Sequence, residues 1–119
     1  MEGIAAYKEN KVTTQSGGRI VVLLYEGAIK FLRQAIVEME AKHWAEKGQY
    51  VAKALDIIHE LNASLDMEVG GEAAVNLRKL YVFLSRHIGR ANVDRDAQKV
   101  KEAIAILEEM LQGWAAISE

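Results

Sequence analysis

The chain has 119 residues, 50% of them hydrophobic, and its 17 acidic and 15 basic side chains leave a formal charge of −2. That length suits one domain with a real core rather than two. The absence of cysteine removes disulfides, thiolate nucleophiles and zinc–thiolate clusters, and a small charge with acids and bases interspersed offers no field for a phosphate backbone, so nucleic acid is not an expected partner.

Residues 1–16 contain Gly3, Thr13, Thr14 and Ser16 without sustained periodicity, which predicts an extended or short helical arm, with Ser16 as the N-cap of the first bundle helix. Met1 to Asn10 has no apolar run of signal-peptide length, and no segment reaches the roughly 20 apolar residues that span a bilayer; a cytoplasmic protein without membrane insertion is expected. From about Gly18, apolar residues fall three or four apart at Ile20, Leu23, Leu24, Gly27, Phe31, Ala35 and Met39, predicting a long amphipathic helix ending near His43. A second stripe runs through Tyr50, Ala54, Ile57, Ile58, Leu61 and Leu65. A third runs through Ala73, Leu77, Leu80, Tyr81, Leu84, Ile88 and Ala91. Gly70 and Gly71 between them predict a chain reversal. After a break at Asn92 to Asp96, where Asn92 can stop one helix and Asp94 can cap the next, the last stripe takes Val100, Ile104, Leu107, Leu111 and Trp114. With no proline and no strand-like alternation, the fold class is all-α: an antiparallel up-and-down four-helix bundle over residues 17–119, preceded by the arm.

The residues that carry chemistry elsewhere do not assemble here. His59-Glu60 starts like a zinc-protease HExxH, but Ala63 stands where the second histidine belongs. Asp56 and His59 have the i, i+3 spacing of di-iron bundles, yet neither a second such pair nor the extra inward carboxylates accompany them. His43, His59 and His87 are expected at the surface or its boundary. Gly17-Gly18-Arg19 and Gly70-Gly71-Glu72 lack phosphate-loop spacing and read as turns, and Trp114 continues the core stripe. No catalytic residue, metal or cofactor is expected.

Beyond the stripes there is a surplus of apolar residues. A bundle helix needs about three apolar positions in seven. Here Val21, Val22, Tyr25, Ala28, Ile29 and Leu32 lie outside the first stripe, Val75, Val82 and Phe83 outside the third, and Ile106 and Met110 outside the fourth. Generous burial accounts for such a surplus, and so does a binding groove. The arm residues Ile4, Ala5, Ala6, Tyr7 and Val12 pose the same choice between a free tail and a segment lying on apolar surface.

Specific residues then carry a resemblance. Ala6-Tyr7, Val12-Thr13-Thr14-Gln15-Ser16, Leu24-Tyr25-Glu26-Gly27-Ala28, Lys53-Ala54, Ile57-Ile58, Glu60-Leu61, Leu65-Asp66, Gly70-Gly71-Glu72-Ala73, Asn76-Leu77, Leu80-Tyr81 and Ala91-Asn92, with Trp114 near the end, resemble in order and spacing the flagellin export chaperone family, FliS. Two departures are Gly17 where the family pattern has proline after the serine, at a cost of about 0.5–1 kcal/mol to the helix start, and Glu26 in place of aspartate. The resemblance implies a chaperone, not an enzyme, that wraps the carboxyl-terminal segment of flagellin and keeps it from polymerising before export, with export components as further partners and a monomeric or weakly dimeric free state. It implies a binding surface from Tyr7, Val12, Leu24, Tyr25, Asn76, Leu77, Leu80, Tyr81 and Asn92. Leu24, Leu77 and Leu80 equally suit plain core packing, whereas Tyr7, Tyr25 and Asn76 offer a polar group to a partner's backbone. Tyr25, placed beside its stripe, is expected to serve binding more than stability. The alternative function is a structural bundle that homo-oligomerises through the same apolar surface.

Overall fold

The computed structural model describes residues 14–117, which form four α-helices and no strand: α1 Thr14–Glu40, α2 Trp44–Ala63, α3 Met67–Asp94 and α4 Ala97–Ile117. The links 41–43, 64–66 and 95–96 are too short for anything but reversal, so consecutive helices run antiparallel. The helices form a square: α1 packs on α2 and α4, and α3 packs on the same two, leaving α1 and α3 on a diagonal. The longest extent is 46 Å, close to the ~42 Å of a 28-residue helix at 1.5 Å per residue. Tyr25, Leu32, Ile58, Leu84, Ile88 and Leu107 are the largest fully enclosed side chains on the axis.

The helix ends are built by local chemistry. At the end of α1, the Lys42 amide donates to Met39 O and the His43 amide to Glu38 O. At the end of α3, Arg95 donates to Asn92 O and Asp96 to Ala91 O. Both are Schellman turns, and each needs a left-handed residue, which here is not glycine: Lys42 has φ 63° and Arg95 φ 56°. Such residues cost roughly 1–2 kcal/mol each, which the satisfied carbonyls offset. Asp66 caps α3 by accepting from the Glu68 and Val69 amides, and Asp96 accepts from Gln98 and Lys99 at the start of α4.

Several expectations are corrected. The helix begins at Thr14, so Ser16 is not its cap and Gly17-Gly18 is not a turn; glycine tolerates helical φ at a modest cost. The cap of α4 is Asp96 rather than Asp94, and Asn92 lies inside α3. Most consequentially, the face of α1 in the core is Val22, Tyr25, Ala28, Ile29, Leu32, Ala35 and Met39, while Leu23 is 50% exposed and Leu24 and Phe31 are half-buried. The helix is turned from the predicted stripe because both sets have the same period, and Tyr25 is core, not surface. On α3, Ala73 is exposed and Ala74 buried. The predicted arm residues through Thr13, Tyr7 and Val12 among them, lie outside the described residues.

The glycine pair does not make the reversal, which occurs at 64–66. Gly71 instead kinks α3 one turn after its start, at φ 55° and ψ −130°, a conformation open to glycine alone. A Cβ on Gly70 would stand 2.7 Å from the Cβ of Ala74. Gly71→Ala is therefore expected to destabilise the protein by about 1–3 kcal/mol, read as a lower urea midpoint. Gly48→Ala, in the interior of α2 with nothing within 4 Å of the new methyl, should instead stabilise by about 0.5–1 kcal/mol. Equal effects at the two sites would show the kink to be unstrained.

Candidate functional site

The polar centre of the bundle is a pair of tyrosines. Tyr25 on α1 and Tyr81 on α3 meet across the diagonal with their hydroxyl oxygens 2.6 Å apart, both side chains buried. The Tyr25 hydroxyl also lies 3.9 Å from the Met110 sulfur of α4, and its ring stands 6.4 Å from that of Trp114. Both oxygens are satisfied if Tyr81 donates to Tyr25 and Tyr25 turns its proton to the sulfur. Burial raises the pKa of both phenols. Hydrogen bonds from Tyr81 and Trp114 partly offset the rise at Tyr25, whereas at Tyr81 the bond it donates and the neighbouring phenol add to it.

Around this pair lies the half-buried apolar surface. Leu77 and Leu80 on α3 and Met110, Leu111 and Trp114 on α4 pack against the core yet keep part of their area in solvent. The facing sides of α3 and α4 are identified by His87 Nε2, 2.8 Å from Glu102 Oε1; Asn76, Leu80 and Phe83 precede His87 on the same side of the helix, Leu80 and Phe83 at seven and four residues and Asn76 one turn before Leu80. A second apolar seam joins α1 and α2. There Gly27 leaves room for Ile57, whose Cδ1 would be 3.2 Å from any added Cβ, and Phe31 stacks on Tyr50 at 6.3 Å with Lys53 Nζ 5.4 Å above the Phe31 ring.

The predicted site residues thus divide. Asn76, exposed, and Leu77 and Leu80, half-buried, come together on α3, with Tyr81 buried beneath them. Leu24 lies on α1 among the half-buried residues packed against the core. Tyr25 offers no surface. Asn92 lies at the other end of α3, ~16 Å beyond Tyr81 at 1.5 Å per residue, where its side-chain and main-chain oxygens accept from Lys47 Nζ at 2.5 and 3.1 Å. Lys47 is buried, and that burial, with Arg95 nearby, lowers its pKa. Arg95 in turn lies 4.1 Å from the centre of the Trp44 ring. Met110 and Trp114 are walls of the site that sequence reasoning missed; the signal was the surplus apolar position of Met110 one turn before Trp114. Among the described residues no cluster of three metal-ligating side chains occurs.

Comparison with known proteins fits this architecture. The profile of the family described as flagellar protein FliS matches residues 1–119. The flagellar secretion chaperone FliS of Salmonella typhimurium is 36% identical over 98% of this chain and 90% of its own length. The flagellar secretion chaperone FliSB of Pseudomonas aeruginosa is 37% identical over 92% of this chain and 87% of its own. The flagellar secretion chaperone FliS of Vibrio cholerae is 38% identical over 96% of this chain and 87% of its own.

The tyrosine pair should be visible in stability and in its dependence on pH. Tyr25→Phe and Tyr81→Phe each strand a buried hydroxyl or its donor and should cost about 1–3 kcal/mol in urea unfolding, with Tyr25→Phe the costlier. The double variant should cost less than the sum, since no orphan then remains; strict additivity would mean the hydroxyls do not interact. In alkali, phenols whose folded pKa is raised hold their protons more tightly folded than unfolded, so their contribution is complete below the ordinary value near 10 and is lost as pH rises above it. Melting temperature should therefore fall above about pH 10, and the double phenylalanine variant should fall less steeply; identical profiles would assign the loss to other groups.

Proposed function

Since the chain belongs to the flagellar protein FliS family, we propose that it is a cytosolic export chaperone that binds the carboxyl-terminal segment of flagellin and prevents its polymerisation before flagellar secretion. The observation that carries the reading is the half-buried apolar surface of Leu77, Leu80, Met110 and Trp114 around the Tyr25–Tyr81 pair, with exposed Asn76 beside it. Folding on binding suits such a surface. An amphipathic helix lays its apolar side over leucines and methionine, whose flexible thioether adapts to differing side chains, while the Asn76 amide serves as donor and acceptor at the margin. The α1–α2 seam, with Leu24, Phe31 and Ile57, offers a second place for a segment long enough to wrap the bundle. Wrapping covers the client's apolar residues and leaves it otherwise unfolded, and no step requires a bond to be made or broken. The arm, with Tyr7 and Val12, completes the proposed surface, and components of the export machinery would receive the loaded complex.

Titration with a flagellin carboxyl-terminal peptide tests this. Calorimetry should show complex formation with a negative heat-capacity change, a gain in helicity and little dependence on salt. Leu80→Ser should weaken binding about tenfold or more, equivalent to about 1.4 kcal/mol, with the bundle still folded by circular dichroism. Absence of any complex would overturn the proposal, and concentration-dependent self-association in sedimentation without peptide binding would point to a structural bundle instead.

A further inference from the structure

The near-neutral charge of the chain hides an asymmetry. Residues 73–93, most of α3, contain Arg78, Lys79, Arg86 and Arg90 and not one aspartate or glutamate. Arg78 is occupied, its Nε donating to Asn62 Oδ1 at 3.3 Å. Lys79, Arg86 and Arg90 are exposed, and among the described residues none of them has a hydrogen-bonding or ionic partner.

Helical spacing gathers these cations on the side of α3 turned away from the core. Val75, Lys79, Val82 and Arg86 succeed one another at intervals of four, three and four residues, with Phe83 and Arg90 alongside. The face is not merely solvated. Val75 and Val82 are half-buried rather than polar, and Phe83 is 48% exposed. One side of the Phe83 ring stacks on His87 at 5.3 Å, and His87 is itself held by Glu102, so the ring is fixed with its remaining surface open. The helix dipole does not account for the cations, because it acts within the last turn, where α3 has no basic residue.

We infer that this face of α3 is a second docking surface, adjoining the proposed client site along Phe83, for an acidic amphipathic helix of a protein partner. The apolar side of that helix would lie on Val75, Val82 and Phe83, and its carboxylates would meet Lys79, Arg86 and Arg90. Span favours such an occupant over an extended polyanion. Lys79 to Arg90 covers ~16 Å, about three helical turns at 1.5 Å per residue, and exposed Glu72 and Asp94 close the basic track at its two ends. A lipid sheet or a nucleic acid would have to run past those carboxylates; a short helix fits between them. Bonds from cations to carboxylates should make the contact salt-sensitive, unlike the apolar client site.

The test uses a labelled synthetic helix of about five turns, roughly 18 residues, with a leucine stripe bordered by glutamates, a scrambled peptide of the same composition, and phosphatidylglycerol vesicles. In fluorescence anisotropy the full chain should bind the helix, at least about tenfold more tightly than the scrambled peptide and more weakly as salt rises. Lys79→Glu/Arg86→Glu/Arg90→Glu and, separately, Val82→Ser should each weaken it by about tenfold or more while circular dichroism and binding of the flagellin peptide stay as in the parent chain. Val82→Ser leaves the charge unchanged and serves if the triple reversal does not fold. The inference is overturned if the parent chain does not bind the helix, if the scrambled peptide binds equally well, if the variants bind like the parent, or if vesicles capture the chain in preference to the helix.

Discussion

A single buried contact, the hydroxyl pair of Tyr25 and Tyr81, fixes the rotation of α1, and the rest of the surface depends on it. α1 and α3 are diagonal in the square and do not pack directly on each other, so two long aromatic side chains must bridge the axis. A phenol in an apolar interior is costly without a partner and stable with one. With Tyr25 inside, Val22, Ile29 and Leu32 must also face inward, being on the same side of the helix. The alternative stripe, Leu23, Leu24 and Phe31, is then displaced toward the surface and toward α2. The apolar area left at the surface is a consequence of where the core placed its tyrosine pair.

This explains which parts of the structure are legible in the sequence. The stripes of α2 and α4 are legible because their polar faces leave a single rotation: Ala54, Ile58 and Leu61, and Val100, Ile104 and Leu107, are buried as their spacing requires. α1 is not legible in this way, since apolar residues surround much of its circumference and periodicity gives two equivalent answers; only the position of Tyr81, from a distant part of the chain, distinguishes them. The glycine pair stands out in the sequence as a backbone feature, but local pattern suggests reversal, whereas Gly71 kinks a helix already begun. Similarly, Asn92 reads from sequence as a helix stop, and its side chain is instead taken by Lys47 from α2, a contact between residues 45 apart that no local pattern contains.

The two ends of the bundle differ in construction. At the end formed by the α1–α2 and α3–α4 links, two Schellman turns close the helices, Lys47 ties α2 to the last turns of α3, and Arg95 lies over Trp44. Lys47 donates there to the Asn92 carbonyl in the last turn of α3, where a cation is favoured, and this repays part of the cost of its burial. From the middle of the bundle toward the opposite end lie the tyrosine pair, the thioether of Met110 and the half-buried leucines, joined mainly by non-directional apolar contact.

That division suits the proposed function, in which the bundle accepts an unfolded segment without unfolding itself. Directional contacts such as Lys47 to Asn92 lose most of their value when geometry shifts, because a hydrogen bond weakens steeply with angle; they hold the end where nothing need move. Apolar contacts between leucine and methionine side chains exchange partners with little loss, since burial depends on area rather than direction. In the proposed complex a client helix takes over contacts with Leu80 and Met110 while the hydroxyl pair beneath them stays closed, so the surface adapts and the arrangement of the four helices does not.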